Sequence, residues 1–122
     1  MAHGGVQHEP SELDPEFTQA VAETMQALST ASRLRILGQL HSAPSPVNEL
    51  AAAVEMEPSA VSHQLRVLRH LGLVVGRRDG RQIVYDLYDD HVGELLEQAI
   101  GHVEHLRHGR SRSISRTELT EA

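Results

Sequence analysis

The stretch from Tyr88 to His108 constrains this chain most, because one helix there carries two separate patterns. Val92, Leu95, Leu96, Ala99, Val103 and Leu106 recur at steps of three and four, which makes one apolar stripe. Beside it runs a line of His91, Gln98, His102, His105 and His108. His102 and His105 stand one turn apart, close enough to share a metal ion. His91 precedes His102 by 102 − 91 = 11 residues, about 16 Å along the axis, while zinc–imidazole bonds are about 2.0–2.1 Å. Within one helix His91 cannot join that pair. A second copy running antiparallel would bring the Asp89 and His91 end of one helix beside the His102 and His105 end of the other. The apolar stripe gives two copies a reason to pair, and a two-fold dimer then holds two equivalent sites, each built from both chains.

At 122 residues the chain predicts one domain with a modest core. It has no Cys, which excludes disulfides, thiolate chemistry and soft-ligand metal sites. No apolar run approaches the roughly 20 residues of a membrane span, and no signal-peptide core is present, so a soluble cytoplasmic protein is expected. The net charge of −6 argues against a nucleic-acid partner until the charges are mapped. Every basic side chain is Arg, and Arg66, Arg69, Arg77, Arg78 and Arg81 lie in a segment whose one acid is Asp79. The N-terminal half is acidic by contrast. A local basic patch on an acidic body still binds phosphates.

Residues 1–14 are rich in Gly, Pro and acids and read as a flexible N-terminal arm. His3 and His8 belong either to a solvated tail or, for His3, to a metal-binding arm. Loss of Met1 would leave a free amine near His3, and amine with imidazole suits nickel-like metals. Pro15 fits a first helical turn, and Phe17, Val21, Met25 and Leu28 keep helical spacing after it. Ser29 or Thr30 caps a second helix, which the prolines at 44 and 46 end. Val47–Val54 reads as a short helix, Glu55–Glu57 as a turn, and Pro58 or Ser59 opens a helix through Leu71.

Two short helices joined by three residues suit a helix-turn-helix. The second presents Ser59, Ser62, His63, Gln64, Arg66 and Arg69, side-chain types that reach phosphates and base edges, with Gln suited to adenine and Arg to guanine. Two β-rich runs follow around Asp79-Gly80, a strong hairpin signal, with Arg77, Arg78 and Arg81 at the tip. The expected fold is mainly α with a small β-hairpin (α+β): a winged helix-turn-helix over residues 15–108, homodimeric through its N- and C-terminal helices. Residues 109–122 are polar and Ser/Arg-rich and read as a disordered tail. His41 and His70 read as ordinary surface histidines.

Ser32-Arg33-Leu34-Arg35-Ile36-Leu37, the run Ser59-Ala60-Val61-Ser62-His63-Gln64-Leu65 through Gly72-Leu73-Val74, and then Gly80-Arg81 and Val84-Tyr85 resemble the ArsR/SmtB family of metal-sensing repressors. The resemblance spans roughly residues 16–108. It implies a dimeric winged-helix repressor that leaves operator DNA when metal binds, and a metal exporter as the controlled gene. In that family the pattern Asp-x-His, ten residues, then His-x-x-His or His-x-x-Glu marks a site on paired C-terminal helices. Asp89, His91, His102 and His105 match it with the spacing intact. The family's cysteine site near the helix before the turn is absent, since Asn48–Ala53 holds no Cys. Within the family the chain most resembles nickel/cobalt sensors, with His3 and His108 in the places of their additional ligands. It departs at Arg107, where a closer match carries another His.

Four ligands, one oxygen and three nitrogens, suit tetrahedral Zn(II). Six, completed by His3, the amine or His108, suit Ni(II) or Co(II), and the histidine in the arm favours six. No organic cofactor is expected. Competing readings are a family member that senses no metal and a metal-buffering protein, against which the arginine patch argues. A hydrolase is disfavoured: His102-Val103-Glu104-His105 is not the H-E-x-x-H arrangement, and Glu104 points about 200° away from His102.

Overall fold

Local signals set the helix boundaries. The structure, a computed structural model, describes residues 13–121, with side-chain surroundings through Gly109. Helix α1 (Pro15–Ala27) starts at the Asp14 carboxylate, which accepts from the Phe17 N–H at 2.7 Å, with Pro15 in the first turn. Helix α2 (Ala31–Ser42) starts at the Thr30 hydroxyl, which accepts from the Arg33 N–H. After it comes a short strand, β1 (Ser45–Pro46), and then helix α3 (Val47–Val54). Glu55 closes α3 in the left-handed region (φ 60°). Helix α4 (Pro58–His70) follows two residues later.

Gly72 ends α4 at φ 75°, where the Leu73 N–H reaches back to the Leu68 carbonyl at 2.9 Å and the Gly72 N–H to Arg69. This left-handed reversal favours a residue without Cβ and turns the chain straight into strand β2 (Val74–Asp79). Strand β3 (Gln82–Leu87) returns antiparallel, and β1 pairs on its other side, giving the order β1-β3-β2. The last helix, α5, runs Asp90–Glu121.

The core is one cluster. Ile36, Leu37 and Leu40 of α2 meet Leu50 and Val54 of α3, Val61, Leu65 and Leu68 of α4, Val74, and Val92 and Leu96 of α5. At about 25 cal/mol per Å² of apolar surface buried, this cluster is the main stabilising term. Helix α1 contributes only Ala27 to it as a buried residue. Phe17, Val21 and Met25 of α1, Leu34, and Ile100, Val103 and Leu106 of α5 stay exposed in the single chain.

Four details differ from the sequence reading. Asp79 pairs with Gln82, so the hairpin loop is Gly80-Arg81 rather than Asp79-Gly80. Gly80 holds φ 68° at the first loop position, where two-residue hairpins of right-handed twist demand glycine. Ser45–Pro46, expected as plain loop, forms an edge strand, a position where proline's missing N–H costs no ladder bond. Asp90 rather than Tyr88 starts the last helix. Finally, the backbone beyond residue 108, expected as a tail without structure, continues α5 to Glu121. No proline interrupts that segment, and Gly109 alone costs only about 1 kcal/mol against alanine.

Candidate metal centre and nucleic-acid interface

The loop between β3 and α5 builds one half of the candidate metal set. The Asp89 carboxylate takes the N-cap position of α5, accepting from the His91 N–H at 3.0 Å and the Val92 N–H at 3.3 Å. Its other oxygen stands 3.4 Å from His91 Nδ1, and the His91 side chain is 71% exposed. His102, His105 and His108 form the other half and are exposed on α5. At about 100° per residue, His91, His102 and His105 fall within roughly 60° of arc, while His108 stands about 60° farther round. The structure thus aligns three of the four histidines of α5 but not the fourth.

Along the axis the halves stay apart, as the helical rise requires. Among the described residues no group of three or more His, Cys, Asp or Glu could hold a metal ion within one chain. Residues 89, 91, 102 and 105 remain exposed to a partner. The exposed apolar faces of α1 and α5 lie on the same molecule, and a groove lined by Leu34, Leu96, Ala99, Ile100 and Val103 runs between α2 and α5. His3 lies outside the described residues.

The arginines stand on other elements than α5, with Arg66 and Arg69 on α4 and Arg77, Arg78 and Arg81 on the hairpin. On α4 the buried side chains Val61, Leu65 and Leu68 fix which side faces inward. Ser59, His63, Arg66 and Arg69 are exposed and Ser62 is half-buried on the far side. Arg77 and Arg78 are exposed on β2 and Arg81 at the loop, so the hairpin extends the same basic character away from the helix. Between α4 and β3 lies a cleft of about 210 Å³ lined by Ser62, Leu65, Arg66, Arg69 and Tyr85.

Two residues behave otherwise than their type suggests. Gln64, grouped above with base-reading side chains, sits about 60° from Val61 and on the flank toward α2. Its Oε1 accepts from Arg33 Nε at 2.7 Å in a partly buried position, so it is engaged inside the molecule. Tyr85 was named above only as part of a family motif and not as a site residue, although its two-residue spacing from Ile83 places both on one face of β3. Gly76 makes room for that ring: a Cβ there would meet Tyr85 Cε1 at 3.1 Å and Ile83 Cγ2 at 3.0 Å.

A helix-turn-helix whose second helix and following hairpin both carry arginines is a winged helix-turn-helix DNA-binding protein. Comparison with known proteins agrees. Residues 30–75 match the family described as bacterial regulatory protein, arsR family. The chain is 58% identical over 113 residues to the HTH-type transcriptional regulator NmtR of Mycobacterium tuberculosis, covering 91% of this chain and 94% of that one. It is 41% identical to the transcriptional repressor SmtB homolog of Synechocystis, over 80% of this chain and 74% of the relative. The solution structure of apo-NmtR superposes with a TM-score of 0.68, covering 84% of this chain and 89% of that one. A homodimeric winged helix-turn-helix DNA-binding domain from Mycobacterium bovis, a possible ArsR-family regulator, gives a TM-score of 0.72 at 29% identity, covering 82% and 95%. The chain belongs to the ArsR/SmtB family of transcriptional regulators, which are DNA-binding proteins and not enzymes.

Proposed function

We propose that this protein is a cytoplasmic, homodimeric repressor that binds operator DNA in its metal-free form and lets go when Ni(II) or Co(II) binds. The observation that carries the reading is the split ligand set on α5. Asp89 and His91 sit at one end, His102 and His105 at the other, all on or beside one exposed arc. An antiparallel partner helix brings unlike ends together, and the uncovered apolar faces of α1 and α5 supply the burial that holds two chains. The donor set fits the ion: one carboxylate oxygen and three imidazole nitrogens, without thiolate, suit borderline divalent metals. Asp89, His91, His102 and His105 would hold it, with His3 and His108 completing six donors. Bound there, the ion would supply a crosslink between the two chains.

The protein's own part is to set the spacing of two α4 helices. A dimer reads two successive major grooves only when its recognition helices are about 34–36 Å apart. A crosslink at α5 favours one dimer geometry over another, and DNA favours one as well. Reciprocity then requires that DNA weaken metal binding by the factor that metal weakens DNA binding. The derepressed gene, on this reading, encodes a metal exporter. No helix among the described residues is long and apolar enough to cross a membrane, which suits a protein working on DNA in the cytoplasm.

Zn(II) is the second reading, and one observation favours it. His108 turns away from the arc of the other three, which leaves four ligands on α5 and its cap, a tetrahedral number. The Co(II) absorption spectrum separates the two: weak d–d bands mean six-coordinate and strong bands four-coordinate. Repeating it with His3→Ala tests the arm directly. Unchanged weak bands in that variant would remove His3 from the set.

A further inference from the structure

Helix α2 carries side-chain links to elements on both sides of it. Arg33, in its first turn, donates from Nε to Gln64 Oε1 of α4 at 2.7 Å. His41, in its last turn, places Nε2 2.8 Å from Glu97 Oε2 of α5. One end of α2 therefore grips the recognition helix and the other grips the helix of the candidate metal ligands.

The α5 end is shaped for its partner. Gly93 and Glu97 lie one turn apart, and a Cβ at Gly93 would come within 2.8 Å of His41 Cε1 and 3.0 Å of its Nδ1. The imidazole rests on bare helix backbone while Glu97 holds its outer nitrogen. Gly93 and Glu97 stand about 130° round α5 from the arc of His91, His102 and His105, so the latch and the metal face use different sides of one helix. Between the two ends, Ile36, Leu37 and Leu40 are fully buried, so α2 moves as a body with its links rather than bending between them.

Resting on the sensor reading above, we propose that α2 transmits the state of α5 to the recognition helix, with His41, Gly93 and Glu97 as the input latch and Arg33 on Gln64 as the output. A shift of α5 that moves the Gly93 notch drags the His41 end of α2. The same rigid helix then changes the purchase of Arg33 on α4. Arg33, His41, Gly93 and Glu97 are outside the candidate metal ligands and DNA contacts named above, so on this proposal they act by positioning. Both ends of the His41–Glu97 pair are substantially exposed, 37% and 63%, and such pairs are individually weak. Breaking the latch therefore lowers the coupling by about two- to tenfold without abolishing it.

The test selects an operator from random-sequence duplexes with the metal-free protein and measures its affinity by fluorescence anisotropy, with and without saturating Ni(II) or Zn(II). Metal affinity is measured separately without DNA. His41→Ala and Glu97→Ala are expected to keep metal affinity and metal-free DNA affinity within about twofold of wild type, while the metal-induced loss of DNA affinity shrinks about two- to tenfold. The double variant falls no further than either single one, the mark of a shared link. Arg33→Ala shrinks the same ratio with metal affinity kept. Glu97→Ala sits at an exposed helical position where alanine favours the helix, so at least this variant folds. Ratios equal to wild type in all three, or single losses that multiply in the double variant, overturn the proposal. A wild-type protein whose DNA affinity ignores both metals overturns instead the sensor reading beneath it.

Discussion

The Asp89 carboxylate accepts a 3.0 Å hydrogen bond from the His91 N–H, so the residue that caps the last helix is also a candidate ligand beside a second one, His91. Its two roles separate by substitution. Asp89→Asn keeps a capping oxygen, whereas Asp89→Ala removes cap and ligand together, at about 1 kcal/mol in stability. Thermal melts of the metal-free protein should show the asparagine variant near wild type and the alanine variant lower. Isothermal titration should show weakened metal binding in both.

A site shared between chains has a complementation signature. Asp89→Ala/His91→Ala and His102→Ala/His105→Ala homodimers are each expected to lose the metal site. Mixed and refolded together, they form heterodimers in which one of two sites regains all four ligands. Equilibrium dialysis should recover about half a metal per chain in those heterodimers. No recovery would mean that each chain builds its site by itself.

The uncovered apolar faces make their own prediction. Val103 is 48% exposed in the single chain, so Val103→Glu places a charge in an otherwise apolar contact without touching the chain's own core. Sedimentation should show a monomer with intact helical content, and operator affinity should fall with it. By contrast, Leu37 is fully buried, and Leu37→Ala should cost about 2–5 kcal/mol in unfolding free energy whatever the oligomeric state.

How far the sequence reached follows from which interactions are local. Thr30, Pro15 and Pro58 act within one helical turn, and each sits where its residue type alone would put it, whereas Asp14, assigned to the arm, caps α1. The short helix at Val47–Val54 has the bounds expected between the prolines before it and the turn after it. The apolar stripe of α5 was legible, although only Val92 and Leu96 of it are buried in the chain itself. Long-range pairing was less visible. Ser45–Pro46 becomes a strand only because Tyr85 and Val84 arrive some 40 residues later, and nothing local in two residues announces that. His41, read as an ordinary surface histidine, meets Glu97 across 56 positions. Gln64 is the opposite case: its type suggested base reading, and the structure adds a long-range partner, Arg33, on its Oε1. For the candidate metal ligands the spacing of eleven residues carried most of the information, since the helical rise alone separates the two halves.

On the nucleic-acid face, charge and position predict different losses. Arg66 and Arg81 are exposed, one on the recognition helix and one at the hairpin loop. If Arg81 meets phosphate, Arg81→Ala weakens binding evenly across sequences and lowers the salt slope of log affinity by about 1. If Arg66 meets a base edge, Arg66→Ala costs about 1–3 kcal/mol and relaxes preference at one position of the operator. Anisotropy titrations at several salt concentrations, on the selected operator and single-base variants of it, distinguish the two.

The central claim is that one molecule couples metal on α5 to DNA on α4. The most direct measurement is operator affinity of the full chain by anisotropy, metal-free and then with Ni(II), Co(II) or Zn(II) at saturation. The account predicts tight binding by the metal-free dimer and an affinity lower by about 5–150-fold with at least one of these ions, the usual range of allosteric coupling. That loss should disappear in His102→Ala/His105→Ala. Equal affinity with and without all three ions would contradict it.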